Sequence, residues 1–207
     1  MNAYQPSAAA ASVMLFDVLR AQDTLAQLPV LVESADTDLM RQVLEEAGKF
    51  VGEVVAPLNR AGDEIGARFK DGAVTMPPGF RAAYQAFWQA GWPGLSGALQ
   101  DGGQGLPVVL EMVLYEWLSA ANHGWTMAPG LLHGAYECIK HHASDELKAC
   151  YLEKVATGEW LTTMCLTEPH AGSDLGLVST RALPQPDGSF QISGTKIFIS
   201  GGEHGLS

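Results

Sequence analysis

From Leu39 to Leu58 apolar residues recur at positions 39, 40, 43, 44, 47, 50, 51, 54, 55 and 58, the i, i+3, i+4 spacing of an amphipathic helix. Asp36 or Thr37 is placed to cap its start, and Pro57 to help end it. The same periodicity predicts helices at 77–90, 106–121, 126–142 and 145–157, with a weaker candidate at 13–32 that Pro29 interrupts. Pro107 suits a first helical turn after the loop Asp101–Gly102–Gly103–Gln104–Gly105. Ser144, Asp145 and Glu146 make a good helix N-terminus, and Gly158 can close the helix they start. Between the first and second strong helices, Arg68 to Val74 reads as a short hairpin or an extended excursion.

After Gly158 the pattern shortens. Trp160–Thr167, Leu177–Leu183, Phe190–Ser193 and Lys196–Ser200 are strand-like, punctuated by Pro186–Asp187–Gly188 and Gly194–Thr195. Helices first and strands second predict an α+β chain or two domains, with the β part barely begun. Four short strands leave sheet edges in need of partners, so the 207 residues are expected to be part of a longer protein.

Composition narrows the function classes. With 12 Lys and Arg against 23 Asp and Glu the net charge is -11, and no basic cluster is present to bind a phosphate backbone. Nucleic acid and anionic membranes are therefore excluded as expected partners. At 47% hydrophobic and 17% charged residues the chain has ample core material. The uncharged stretches 82–100 and 117–136 contain Pro, Gly and side-chain amides, so neither reads as a membrane span. The first basic residue is Arg20, which argues against a secretory or transit leader and for a cytoplasmic protein. Cys138, Cys150 and Cys165 make neither a disulfide framework nor a zinc spacing.

Most of the chemistry lies in Cys165–Leu166–Thr167–Glu168–Pro169–His170–Ala171–Gly172–Ser173–Asp174. A hydroxyl at a strand end, a proline bend and Gly-Ser could hold a phosphate or the polar edge of a heterocycle; the alternative is a rigid turn between strands. His170 beside Glu168 suggests acid–base work, although a proline bend need not aim one at the other, and a loop histidine is the simpler expectation. Cys138, His141 and His142 share a helical face without a recognised zinc spacing, so no metal is expected. Glu45 and Glu46 are expected to face solvent.

The stretch Leu166 to Asp174, followed by Gly194–Thr195–Lys196–Ile197–Phe198–Ile199–Ser200–Gly201–Gly202, resembles the two flavin-binding segments of acyl-CoA dehydrogenases. Two motifs in this order, bridged by a predicted hairpin, are far more specific than either alone. The resemblance covers essentially the whole chain. Phe16–Asp17–Val18–Leu19 and Ala56–Pro57–Leu58–Asn59 resemble a long bacterial subgroup that includes 3-(methylthio)propionyl-CoA dehydrogenase.

The resemblance implies an α+β architecture: a helical N-terminal domain with its extension over 1–160, then the start of a β-barrel flavin-binding middle domain over 161–207. The family's C-terminal helical domain would be missing. FAD is the implied cofactor, with Met164, Leu166 and Thr167 lining the flavin and the Thr167 hydroxyl on its pyrimidine edge. Gly172 and Ser173 match the turn on the cofactor phosphates or the CoA portion of the substrate, Phe198 an aromatic against the ring with Ile199 beside it, and Ser200 the hydroxyl at N5. Met164, Phe198 and Ser200 stand where the family frequently has an aromatic, Trp and Thr, which keeps size or hydroxyl function. The implied reaction takes an acyl-CoA thioester to the 2,3-enoyl-CoA, by α-proton abstraction and β-hydride transfer to flavin N5. The implied partners are acyl-CoA, an electron-accepting flavoprotein and further copies of the chain as a homodimer or dimer of dimers. No residue matches the family's catalytic glutamate, which is expected beyond Ser207, so the 207 residues alone are expected to be inactive. An acyl-CoA oxidase of the same fold, or a non-catalytic module with apolar docking faces, are the competing expectations.

Overall fold

The computed structural model describes residues 4–29, 31 and 36–207. Helix α1 (Ala8–Ser12), capped by the Ser7 hydroxyl, runs into a π-helical turn over Val13–Val18, and α2 (Ala21–Leu25) comes next. The expected helix over 13–32 is thus broken at Arg20, whose left-handed φ of 51° stops the first segment. Its last residues, 30 and 32, lie outside the described residues.

The 39–58 periodicity becomes one long rod of mixed helical type. Helix α3 (Thr37–Phe50) starts at Asp36, whose carboxylate accepts from the Asp38 and Leu39 N–H groups at 2.8 and 2.9 Å. Such a cap is worth about 1 kcal/mol. The rod continues as a π turn (Val51–Val55), a 3-10 turn at Pro57 (Ala56–Leu58) and α4 (Asn59–Ile65). Proline thus changes the helix type without ending the rod, because the chain tightens around the missing N–H. Glu45 and Glu46 are exposed.

Strands β1 (Arg68–Lys70) and β2 (Ala73–Thr75) form the expected hairpin, closed by Asp71 and Gly72 with φ of 52° and 83°. Two left-handed residues in succession are what a two-residue turn matched to strand twist demands. Helix α5 (Phe80–Gln89) begins later than the expected 77, after two prolines and left-handed Gly79. Helix α6 (Val108–Thr126) starts after Pro107 and passes through a kink at Asn122, with φ -160° and ψ 82°. There the Asn122 side chain accepts from the Trp125 N–H at 3.1 Å and restarts the helix, so the predicted break near 121–126 is a kink inside one element. Helices α7 (Leu132–His142) and α8 (Asp145–Ala156) complete the helical body, α8 capped by Ser144 and closed by left-handed Gly158.

The core lies between the α3 rod, α5 and α6. Met40, Leu44 and Val51 meet Phe80, Tyr84 and Phe87, and Leu110, Leu114, Leu118 and Trp125 close it from the third side. Trp125 meets Phe87 edge-on, with ring centroids 5.5 Å apart, and donates its indole N–H to the Phe80 carbonyl at 3.1 Å. A smaller cluster of Leu132, Tyr136, Val155 and Ala156 joins α7 to α8. The Tyr84 hydroxyl donates to the Gly158 carbonyl at 2.5 Å, tying α5 to the end of α8 and so to the start of the segment beyond residue 160.

In that segment two of the four expected strands form. Strands β3 (Arg181–Pro184) and β4 (Phe190–Ser193) pair antiparallel, Arg181 opposite Ser193. Trp160–Thr167 and Lys196–Ser200 remain outside any ladder, since one backbone hydrogen bond, from Ile197 N–H to the Thr167 carbonyl at 2.9 Å, joins them. Strand-like composition specifies a strand only where a neighbour pairs with it. The chain is α+β, a helical body with two small antiparallel hairpins. No helix among the described residues is long and apolar enough to cross a membrane.

Candidate flavin site

The two segments singled out by sequence run side by side in opposite directions. Thr163 donates its hydroxyl to the Ser200 carbonyl at 2.6 Å, and Ile197 N–H donates to the Thr167 carbonyl at 2.9 Å. Lys196 reaches across with its ammonium, donating to the Leu166 carbonyl and to Glu168 Oε1, each at 2.9 Å. Residues 163–168 and 196–200 are therefore held together mainly by side chains.

Glu168 anchors this arrangement. Only 2% exposed, it accepts on Oε2 from both the Ser179 N–H and hydroxyl, and on Oε1 from the Thr180 N–H and Lys196, all at 2.9 Å. Hydrogen bonding at Thr180, then from Lys196 and from the Ser179 N–H, holds its carboxyl well below the ordinary carboxylate range. His170 Nε2 lies 3.5 Å from Glu168 Oε2 and 3.1 Å from the Leu177 carbonyl. The proline bend thus does bring the pair together, but a carboxylate so fully engaged is a poor base. The sequence places Glu168 in the motif without its partners. The one signal it holds is a lysine, Lys196, inside an otherwise apolar strand-like run.

The remaining motif side chains point outward. Met164 is 60% exposed, Leu166 40% and Phe198 86%, while Ile199 and Ser200 are half-buried. Phe198 also carries a left-handed φ of 57°, which costs a side-chain-bearing residue about 1–2 kcal/mol. Among the described residues no protein hydrogen bond occupies the Thr167 or Ser200 hydroxyl. At Gly172 a side chain would meet only the Thr167 methyl, at 3.5 Å, so packing within the chain does not require glycine there. Next to it Ser173 is exposed, and Asp174 turns the chain by accepting from Gly176 N–H at 3.0 Å. Exposed apolar groups, open hydroxyls and a side-chain-free turn together fit a flat heterocycle with a polar edge and a phosphate tail.

Thr162, Thr163, Met164 and Cys165 face α7 across a groove of about 650 Å³, and Gly130 and Leu131 line both it and a second of about 570 Å³. The second is mostly apolar, with Met112 and Tyr115 on one wall and the buried carboxylate of Glu111 at its edge. Glu111 is held by the Ser96 hydroxyl and by His133 Nδ1 at 3.1 Å, partners that the sequence does not connect. Of Cys138, His141 and His142, His141 pairs with Glu137 at 3.0 Å and Cys138 lines the first groove; no metal-ligating group of three is formed among the described residues. The Asp101–Gly105 loop packs against Thr157 and Gly97 as a helix-entry loop.

Comparison with known proteins bears on the chain as a whole. A family model described as Acyl-CoA dehydrogenase, N-terminal domain, matches residues 37–159. The 3-methylmercaptopropionyl-CoA dehydrogenase of Ruegeria pomeroyi is 45% identical over 197 residues, covering 92% of this chain and 33% of that protein. A broad-specificity linear acyl-CoA dehydrogenase of Mycobacterium tuberculosis is 33% identical over 92% of this chain and 31% of its own length. The chain spans about a third of the length of these curated relatives. Among solved structures, butyryl-CoA dehydrogenase from Megasphaera elsdenii superposes on 80% of the chain with a TM-score of 0.68 at 24% identity, covering 41% of that structure. The FAD complex of an acyl-CoA dehydrogenase from Bacillus anthracis superposes on 77% with a TM-score of 0.62 at 24% identity, covering 26% of that structure. At that identity the likeness is one of fold.

Proposed function

The chain belongs to the acyl-CoA dehydrogenase family, and on that premise we propose that the full-length protein is an FAD-dependent dehydrogenase of acyl-CoA thioesters. The observation that carries this reading is the tied pair of segments 163–168 and 196–200, presenting Met164, Leu166 and Phe198 outward beside the open hydroxyls of Thr167 and Ser200. In this reading residues 1–160 form the helical domain and 161–207 open the flavin-binding domain. FAD supplies the acceptor for the β-hydride. Thr167 and Ser200 would hold its polar edge and N5, Phe198 and Ile199 would cover the ring with Met164 and Leu166, and Gly172 and Ser173 would meet the phosphates or the CoA tail. A preorganised donor where charge develops is worth about 3–4 kcal/mol in a transition state. The grooves beside α7 and α6 offer apolar room for the acyl chain.

The α-proton needs a carboxylate base, and neither glutamate buried among the described residues suits the task. Glu168 is saturated by hydrogen bonds and Glu111 is engaged by Ser96 and His133. In this reading the base lies outside 1–207, as the resemblance to acyl-CoA dehydrogenases implies. An electron-transferring flavoprotein completes the reading as acceptor, and a homodimer or dimer of dimers as assembly.

The full-length protein is expected to purify yellow, with its visible flavin absorbance bleached anaerobically by an acyl-CoA. Given the 45% identical relative, 3-methylmercaptopropionyl-CoA is the first substrate to try, with butyryl-CoA beside it. A colourless protein that takes up no FAD, or bound flavin that no acyl-CoA reduces, overturns the reading. Turnover by purified 1–207 with an artificial acceptor would overturn the placement of the base.

A further inference from the structure

We infer that Lys196 and the buried Glu168 are a positioning pair, which sets the register of the two flavin-facing segments against each other and so makes one surface out of two. The inference rests on the proposed flavin site and concerns residues that touch no cofactor in it.

In a sheet, register is enforced by a ladder of backbone hydrogen bonds. Here that ladder is nearly absent, with one backbone bond, Ile197 N–H to Thr167 carbonyl, between segments whose outward residues must line up to within the width of a ring. A single bond leaves the segments free to pivot. The missing constraints come from side chains: Thr163 at one end, on the Ser200 carbonyl, and Lys196 at the other. Lys196 is the stronger tie because one ammonium bonds two points of the opposite segment, the Leu166 carbonyl and the Glu168 carboxylate. Leu166 and Thr167 are thereby gripped from both sides.

Glu168 extends the grip to a third segment. Its oxygens also take the Ser179 and Thr180 N–H groups, which lead directly into β3. Gly194, at the far end of the same hairpin, packs so closely on Thr180 that a side chain there would collide with it. The carboxylate thus sits where the first motif, the entrance of the hairpin and the second motif converge. Its four charge-assisted or backbone hydrogen bonds are of the kind that fixes geometry in a buried site. The arrangement gives a lysine beside the apolar Ile197 and Phe198 a structural task, and its side chain is only 20% exposed.

The test uses the full-length holoprotein, comparing FAD affinity and the visible flavin spectrum of wild type, Lys196→Met and Lys196→Arg. Lys196→Met removes both bonds and leaves Glu168 without its cation, a loss that corresponds to about tenfold or more in FAD dissociation constant. A shifted or blurred flavin absorption band is expected with it, since the ring is no longer seated against one surface. Lys196→Arg, which keeps the ion pair, is expected to recover at least part of the affinity and the band shape. Lys196→Met that binds FAD within about twofold of wild type and with an unchanged spectrum overturns the inference while leaving the flavin reading intact. A wild-type protein that binds no FAD overturns that reading instead. If Lys196→Met does not fold, amide exchange of wild-type holoprotein decides: the Ile197, Ser179 and Thr180 amides should open together and more slowly than the turn amides of Asp187, Gly188 and Ser189. Ile197 exchanging as fast as that turn would overturn the inference.

Discussion

The helical body and the segment after residue 160 are both rich in apolar residues, yet they are ordered by different forces. In the body, Met40, Leu44, Phe87, Leu114 and Trp125 are almost wholly buried, and order comes from packing. In 161–207 the large apolar side chains Leu183, Phe190, Ile192 and Phe198 are more than half exposed, and the buried residues are Glu168, Ala171 and Leu206. Order there comes from hydrogen bonds converging on one carboxylate. The difference teaches that a site can be held rigid by polar contacts while its apolar groups stay free to meet a ligand or another part of the protein.

The sharpest way to break this contrast is to truncate equivalent side chains in both regions. Trp125→Ala removes the edge-on contact with Phe87 and the bond to the Phe80 carbonyl, and is expected to cost about 3–5 kcal/mol in denaturant unfolding. Ile192→Ala, at 72% exposure, is expected to change the same quantity by less than about 0.5 kcal/mol. Equal losses at the two sites would show that the second region is packed after all.

A smaller effect is expected at Gly103, where any Cβ would overlap the Gly97 backbone. Gly103→Ala should cost about 1–3 kcal/mol, because two loop strands must separate before α6 can start at Val108. Gly188, with open space around it, is the control for bulk in the other region, although its φ of 84° adds strain of its own.

Acid separates the regions along another axis. The Glu168 carboxyl has a folded pKa far below its ordinary 4.5, so its contribution is complete above about that pH and is lost progressively as pH falls below it. Protonation weakens the acceptance from Ser179 and Thr180 and removes the charge that holds Lys196. Amides 179, 180 and 197 are therefore expected to lose protection below about pH 4.5 before those of α5 and α6 do. Glu168→Gln should remove that pH dependence. Simultaneous loss across the chain would mean that the body carries the acid sensitivity.

Legibility in the sequence divides along the same line. The α3 rod and α8 are readable because their apolar residues and caps lie within or beside the element, as Asp36, Ser144 and Gly158 illustrate, whereas α7, which has no side-chain cap, starts at Leu132 rather than at the expected 126, where α6 still runs. The Asp71–Gly72 and Pro186–Asp187–Gly188 turns are readable for the same reason. The kink at Asn122 is blurred because it depends on one side chain choosing the backbone of its own helix. Strands expected at 160–167 and 196–200 do not form because β composition does not say whether a neighbour is in place. The site motif is visible as a string of residue types, but the role of Lys196 is not. Its partners lie 28 and 30 residues away and only the fold brings them within reach.

The smallest expected effect is the most discriminating. Phe198 has a left-handed backbone and an 86% exposed ring, so within 1–207 it carries conformational strain and little burial to offset it. Phe198→Asn places there a residue that tolerates this conformation far better, and chain stability should stay level or rise by up to about 1 kcal/mol. In the full-length protein the same substitution removes the aromatic surface offered to the flavin, and FAD binding should weaken. Stability and ligand affinity would then move in opposite directions at one residue. A fall in stability of more than about 1 kcal/mol would instead show that the ring is packed within the chain, erasing the distinction between a region held by its core and a region held open for contact.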